Sequence, residues 1–238
     1  LRRSSAASDV YKRQGADCLA AVELCNHFSK ILIILRDDIR LSRFSQSLRI
    51  ITNNIDIIEF PAWDCLPFDK NSPNQKLVGK RVRALSSLAN PNSKKTIILS
   101  TIGSVIQKIP NQDFIKNSSK SIQSGQNISQ RELINFFENN GYMRTNTVRE
   151  DSEYSLRGSI LDVYPPGEKH PVRIDFFGDV IDSLRVFDPI SQLSLHNINF
   201  ISFNAGNEII LTDHSVELFR RNHRELFNEE YDKSPYIN

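Results

Sequence analysis

Apolar and polar positions change rhythm twice along this chain. Leu19, Ala20, Val22 and Leu24 recur at helical spacing within Gly15–Phe28. Ile31 to Leu35 is a continuous apolar run. Such a run predicts a strand buried on both faces of a parallel sheet. Asp37 and Asp38 then place negative charge at the positive end of a helix that continues through Leu48. Ile55–Phe60, closed by Pro61, reads as a second buried strand. Pro73 and Pro91 bracket a helix carrying Leu77, Val78, Val82, Leu85 and Leu88. Thr96–Leu99 is a third buried strand, and Thr101 opens a short helix that Pro110 ends. Strands alternating with helices predict a doubly wound α/β unit over residues 15–118.

The rhythm shifts near Lys120. Lys116–Ser121 is rich in Ser, Asn and Lys and reads as a linker. Ser129 with Glu132 in the third place resembles a capping box, and the helix it opens runs to Asn140, with Gly141 as a suitable residue after its end. Closely spaced strands follow at Tyr142–Val148, Ser159–Tyr164, Val172–Phe177, Val180–Phe187 and Ile198–Phe203. Strands without intervening helices predict a separate α+β unit with a mixed or antiparallel sheet, residues 119–204. Residues 205–238 read as the start of a helical part returning to the first unit. There Thr212 and Ser215 precede a helix with Val216, Leu218, Phe219 and Leu226. An apolar helix face with nothing left to pack on points to a truncated piece, or to that face resting on the first unit. Residues 1–14 (LRRSSAASDVYKRQ) lack periodicity and a following apolar stretch, so they read as a disordered tail or an artefact, not a signal peptide.

Composition narrows the function classes. The chain has 238 residues, 39% hydrophobic and 24% charged, with a net charge of +2. A protein that wraps DNA is usually far more basic. Three cysteines without a C-x-x-C pair fit a reducing, cytoplasmic setting, and five histidines show no ligand spacing, so no metal site is expected. No apolar run reaches the roughly 18 residues of a membrane span.

Catalytic patterns fail as well. A phosphate-binding loop needs clustered glycines, a lysine and a Ser or Thr for magnesium. Gly15–Ala20 (GADCLA) lacks that lysine, and its aspartate would repel phosphate. Gly79-Lys80 is followed by Arg81 and lies inside the expected helix. Asp37-Asp38 and Glu229-Glu230 read as helix-start charge and solvated surface, and no G-x-S-x-G elbow occurs. The chain is not expected to be an enzyme, and no cofactor is expected.

One hairpin carries more information. Residues His170–Asp188 form two strands about a Gly178-Asp179 turn. Alternation puts Val172, Ile174 and Phe176 on one face and Arg173, Asp175 and Phe177 on the other. A two-residue turn would pair Phe177 with Val180; a longer loop would shift that register. From the residues alone, Phe177 is either one isolated exposed apolar side chain or, with the arginines, an interaction hot spot.

Three runs then bear a family resemblance: Arg157–Pro165 (RGSILDVYP), Arg173–Gly178 (RIDFFG) and Ile181–Asp188 (IDSLRVFD). They resemble the UvrA-binding domain shared by UvrB and the transcription-repair coupling factors. Phe60–Asp69 (FPAWDCLPFD), Ser72-Pro73, the Arg81 helix and the Val216–Arg220 helix resemble the coupling factors in particular. UvrB carries a tyrosine-rich stretch and a damage-probing hairpin where this chain has neither. The resemblance covers about residues 15–232. It implies a degenerate helicase-like first domain followed by a small α+β UvrA-binding domain. It also implies a non-catalytic N-terminal module that recruits UvrA for nucleotide excision repair at stalled RNA polymerase. ATP, Mg, DNA and RNA polymerase would be handled by domains outside this chain. Arg157, Arg173 and Phe177 match family positions that contact UvrA, their guanidiniums suited to bidentate bonds with carboxylates. Asp175 and Arg185 lie nearby, either as further contacts or only as a cross-strand pair. In the resting full-length protein the surface is thought to be masked, so this chain is expected to bind UvrA constitutively. The alternative is a UvrB-type fragment that handles damaged DNA directly.

Overall fold

The computed structural model describes residues 15–65, 73–90, 94–210 and 213–227. The expectations for residues 1–14, for Leu66–Asp69, Ser72, Pro91 and Thr212, and for the chain beyond residue 227 fall outside these. The elements in order are α1 (Ala16–Leu24), β1 (Lys30–Leu35), α2 (Asp38–Ile51), β2 (Asp56–Phe60), α3 (Gln75–Ala89), β3 (Thr96–Thr101), α4 (Ile102–Val105) and α5 (Gln112–Asn117). They continue with β4 (Lys120–Gln123), α6 (Gln130–Asn139), β5 (Met143–Arg144), β6 (Glu153–Arg157), β7 (Ile160–Val163), β8 (Val172–Phe177), β9 (Val180–Phe187), β10 (Ser194–Ile198), β11 (Phe200–Phe203) and α7 (Asp213–Phe227).

The first three strands form a parallel sheet in the order β1-β3-β2. Local chemistry sets the helix starts. Asp37 accepts the Arg40 N–H at 2.8 Å, and Asn74 accepts the Lys76 N–H at 3.0 Å, each satisfying an orphan donor of a first turn. α1 and α2 cover one sheet face, where Cys18, Ala21, Leu41 and Leu48 pack with Ile97, Leu99, Ile31 and Ile33. On β2, Ile58 and Phe60 pack with Ala84, Leu85 and Ala89 of α3.

Only the central strand, β3, meets the expectation of burial on both faces. β1 does not: it is an edge strand, and Leu32 and Ile34 on its second face are 52% and 50% exposed. A continuous apolar run registers as doubly buried only where helices cover both faces. Among the described residues the second face of β1 lacks that cover.

The second sheet has the order β10-β9-β8-β7-β6-β5. It is antiparallel except for β5, which runs parallel to β6. Ser129 accepts the Glu132 N–H at 3.1 Å and opens α6. Leu133 and Phe137 of α6 are then driven into Tyr154, Leu161, Ile174, Leu184 and Phe203. The T-shaped contact of Phe137 with Phe203, centroids 5.1 Å apart, adds to the burial of both rings. β4 pairs antiparallel with β11, Ile122 opposite Ile201, and supplies Ile122 to this core.

Several local expectations shift here. Lys116–Ser121 is not a linker: it ends α5 and begins β4. The long strand expected at Tyr142–Val148 contracts to Met143–Arg144, and Ile198–Phe203 divides between β10 and β11 in different sheets.

Helix α3 joins the two units. Arg83 donates to the Gly167 carbonyl at 2.7 Å, and Ser86 to Asn204 at 2.7 Å. Val78 and Val82 pack with Ala205, Trp63 and Ile210. Arg81 is fully buried, ion-paired with Glu208, bonded to the Pro61 carbonyl at 2.5 Å, and stacked over Phe60 and Trp63 at 4.2 and 5.0 Å.

Candidate functional site

The second sheet has two unlike faces because its strands alternate. One face packs on α6. On the other, cross-strand register lines up Ser155, Asp162, Arg173, Arg185 and Asn197 in one row. Arg157, Ile160, Asp175 and Ser183 form the adjoining row, toward the tip of the β8–β9 hairpin.

Arg173 and Arg185 lie directly opposite each other, a like-charge pair that is unfavourable alone. Two carboxylates resolve it. Asp162, directly opposite Arg173 on β7, accepts its Nε at 2.7 Å and a terminal nitrogen at 2.9 Å. Asp175 takes Arg185 as its ion-pair partner and accepts the Ser183 hydroxyl at 2.9 Å. Arg157 also bonds Asp162, through one terminal nitrogen at 2.5 Å. The hydrogen bonds to Asp162, its largest influence, raise the pKa of Arg173 further despite partial burial. The Arg173 guanidinium stacks over the Phe187 ring at 4.7 Å.

These contacts separate residues that the sequence treats alike. Arg157 keeps 49% of its side chain exposed, whereas Arg173 keeps 15%. The bidentate bond expected of Arg173 toward an outside carboxylate is already made, inward, to Asp162. Asp175 and Arg185 form a pair, but a diagonal one rather than a directly opposed one.

Phe177 is 81% exposed. It pairs with Val180 across the tight turn, where Gly178 adopts a left-handed φ of 62° that its missing Cβ permits. The register slips between Asp175 and Phe176, leaving Asp182 as an extra residue on β9. Such a bulge bends a strand and re-aims the side chains beyond it. The tip is also braced from outside: Ile128 N–H donates to the Asp179 carbonyl at 2.8 Å, and Gly125 N–H to the Ile181 carbonyl at 2.8 Å. An exposed ring on a braced hairpin needs little ordering before it meets a partner.

Asp162, Phe187 and the 124–128 brace are the parts of the site that sequence reading missed. Asp162 sits within the Arg157–Pro165 run, but its partner, Arg173, emerges only from strand register. Gly79 and Lys80 lie within α3, where Gly79 faces the Asp151 and Gly167 segment. Among the described residues no group of three or more His, Cys, Asp or Glu is placed to hold a metal ion. No described helix is long and apolar enough to cross a membrane.

Residues 121–208 match the family model of the UvrB interaction domain, which spans the second sheet and its α6 cover. The chain is 33% identical over 216 residues to the transcription-repair-coupling factor of Haemophilus influenzae, covering 90% of this chain and 19% of that protein. It is 30% identical over 220 residues to that of Escherichia coli, covering 92% and 19%. The Rickettsia bellii factor is 27% identical over 205 residues, covering 86% and 18%. The chain therefore spans about a fifth of the length of the curated relatives it matches.

Proposed function

We propose that this chain, which matches the N-terminal UvrB-like module of the transcription-repair-coupling factors, recruits UvrA through the β8–β9 end of its second sheet. In this reading it acts in nucleotide excision repair at stalled RNA polymerase and performs no chemistry itself. The observation that carries it is the Phe177 ring, 81% exposed on the braced hairpin of β8 and β9, with the half-exposed Arg157 two strands away at the same end of the sheet. An exposed aromatic ring and a planar guanidinium at one end of a sheet are the residue types that interface hot spots favour. The ring would enter an apolar pocket, and Arg157 would meet a carboxylate of the partner.

The test is calorimetric titration of purified UvrA into the chain and its variants. Phe177→Ala and Arg157→Ala are each expected to weaken binding by roughly thirtyfold, the effect of losing about 2 kcal/mol at a hot spot. Wild-type affinity in both variants would overturn the proposal. Nucleotide chemistry, DNA translocation and the RNA polymerase contact belong, on this reading, to the remainder of the full-length protein. Accordingly, ATP with magnesium titrated into this chain should produce no binding heat.

A further inference from the structure

The geometry points to Asp162 as the positioning residue of the docking face, holding Arg157 out to the partner and Arg173 in as its prop. This rests on the reading of that face given above. The Asp162 side chain is 0% exposed, so it touches no partner itself. Its two oxygens accept three contacts from two arginines: Arg173 Nε at 2.7 Å on one, Arg173 and Arg157 terminal nitrogens at 2.9 and 2.5 Å on the other. The arginines differ in what remains to them. Arg173 has the edge of its fork on Asp162 and its plane over Phe187. Arg157 is tethered through a single nitrogen and stays half exposed at the end of β6.

One buried carboxylate between two guanidiniums leaves the trio one positive charge in excess, and Arg157 is its more exposed member. A long side chain already held in place loses less rotamer freedom when an acidic partner arrives. Without the carboxylate, two like charges would sit side by side, and Arg157 would lose its anchor.

The direction of one substitution separates this role from simple electrostatics. Asp162→Asn removes a negative charge from the face. If Asp162 contributed only charge, affinity for an acidic partner would rise. If it positions Arg157, affinity falls, by about tenfold as preorganisation is lost. A double-mutant cycle supplies the second readout: in an Arg157→Ala background, Asp162→Asn should have almost no further effect on UvrA affinity, because its action runs through Arg157. Tighter binding by Asp162→Asn, or losses that simply add, would overturn the assignment.

Phe177→Ala, measured alongside, keeps the two readings apart. If it binds like wild type, the docking face itself is wrong. If it weakens binding while Asp162→Asn does not, only the positioning role fails. Should Asp162→Asn lose its folded circular dichroism spectrum, Arg173→Met provides the test. It keeps an apolar stem against Phe187 and leaves Asp162 to Arg157, so it should weaken binding less than Arg157→Ala does. An equal or greater loss would refute the division of labour.

Discussion

Asp151 and Asp188 are carboxylates whose surroundings push them in opposite directions. Asp151 is buried at the seam between the units and accepts the Gly167 N–H at 2.9 Å. Burial is the largest influence and raises its pKa, opposed by the Gly167 bond and by Lys76. An acid whose folded pKa is raised contributes most below its ordinary unfolded value, and that contribution is lost as pH rises through the folded one. Asp188 instead accepts the Ser191 N–H at 2.7 Å and its hydroxyl at 2.9 Å, which lower its pKa. Its contribution is present above the ordinary value and lost as pH falls through the lowered one. Asp151→Asn should therefore flatten the decline of melting temperature as pH rises through and above the ordinary carboxylate range, while leaving the acid-side loss from Asp188 in place. A melting profile parallel to wild type across that range would contradict this account of Asp151.

Helix α3 shows how an element accepts a local cost for contact. Glycine inside a helix is less favourable than alanine by about 1 kcal/mol, yet Gly79 sits in its second turn. A Cβ there would lie 2.5 Å from an Asp151 carboxylate oxygen and 2.6 Å from the Gly167 nitrogen. Gly167 has a left-handed φ of 71° and closes the contact from the other side. The bare helix surface lets the second unit's loop lie directly on α3. Gly79→Ala gains helix propensity but forces the seam apart, so a net loss of about 1–3 kcal/mol in urea unfolding is expected from overpacking. A variant as stable as wild type would show that the seam yields without cost.

At the level of the folded chain, the Arg81–Glu208 pair links the first unit to the segment that follows β11. Both side chains are essentially sealed, at 0% and 2% exposure. A buried pair is weak support for stability by itself, but removing one partner strands a charge at a cost of about 3–5 kcal/mol. Glu208→Ala should lower the urea midpoint accordingly. Trp63, the chain's single tryptophan, lies 5.0 Å from the Arg81 guanidinium and reports the change by fluorescence. Replacing both charges with apolar residues of similar volume, Arg81→Met with Glu208→Leu, should recover much of the loss. An unchanged midpoint in the single variant would mean that the junction opens to water without consequence.

Local pattern alone carried much of this architecture. The apolar runs marked β1, β2 and β3, the acidic Asp37-Asp38 pair and the Ser129 capping box marked helix starts, and Gly178 marked the tight turn with Phe177 beside it. Each depends on neighbours a few residues apart, whose spacing is written directly in the chain. What stayed hidden depends on distant segments: β4 pairing with β11, the face of β1 that no described helix covers, and Gly79 against Gly167. The charged face belongs to the same group. Arg157 and Arg173 look equivalent as letters, and only the alignment of β6, β7 and β8 around Asp162 turns one inward and leaves the other half exposed. The turn fixes only the Phe177–Val180 pair beside it; beyond the bulge and across β6 and β7, register follows from the packing of the core face, which no short window of sequence contains.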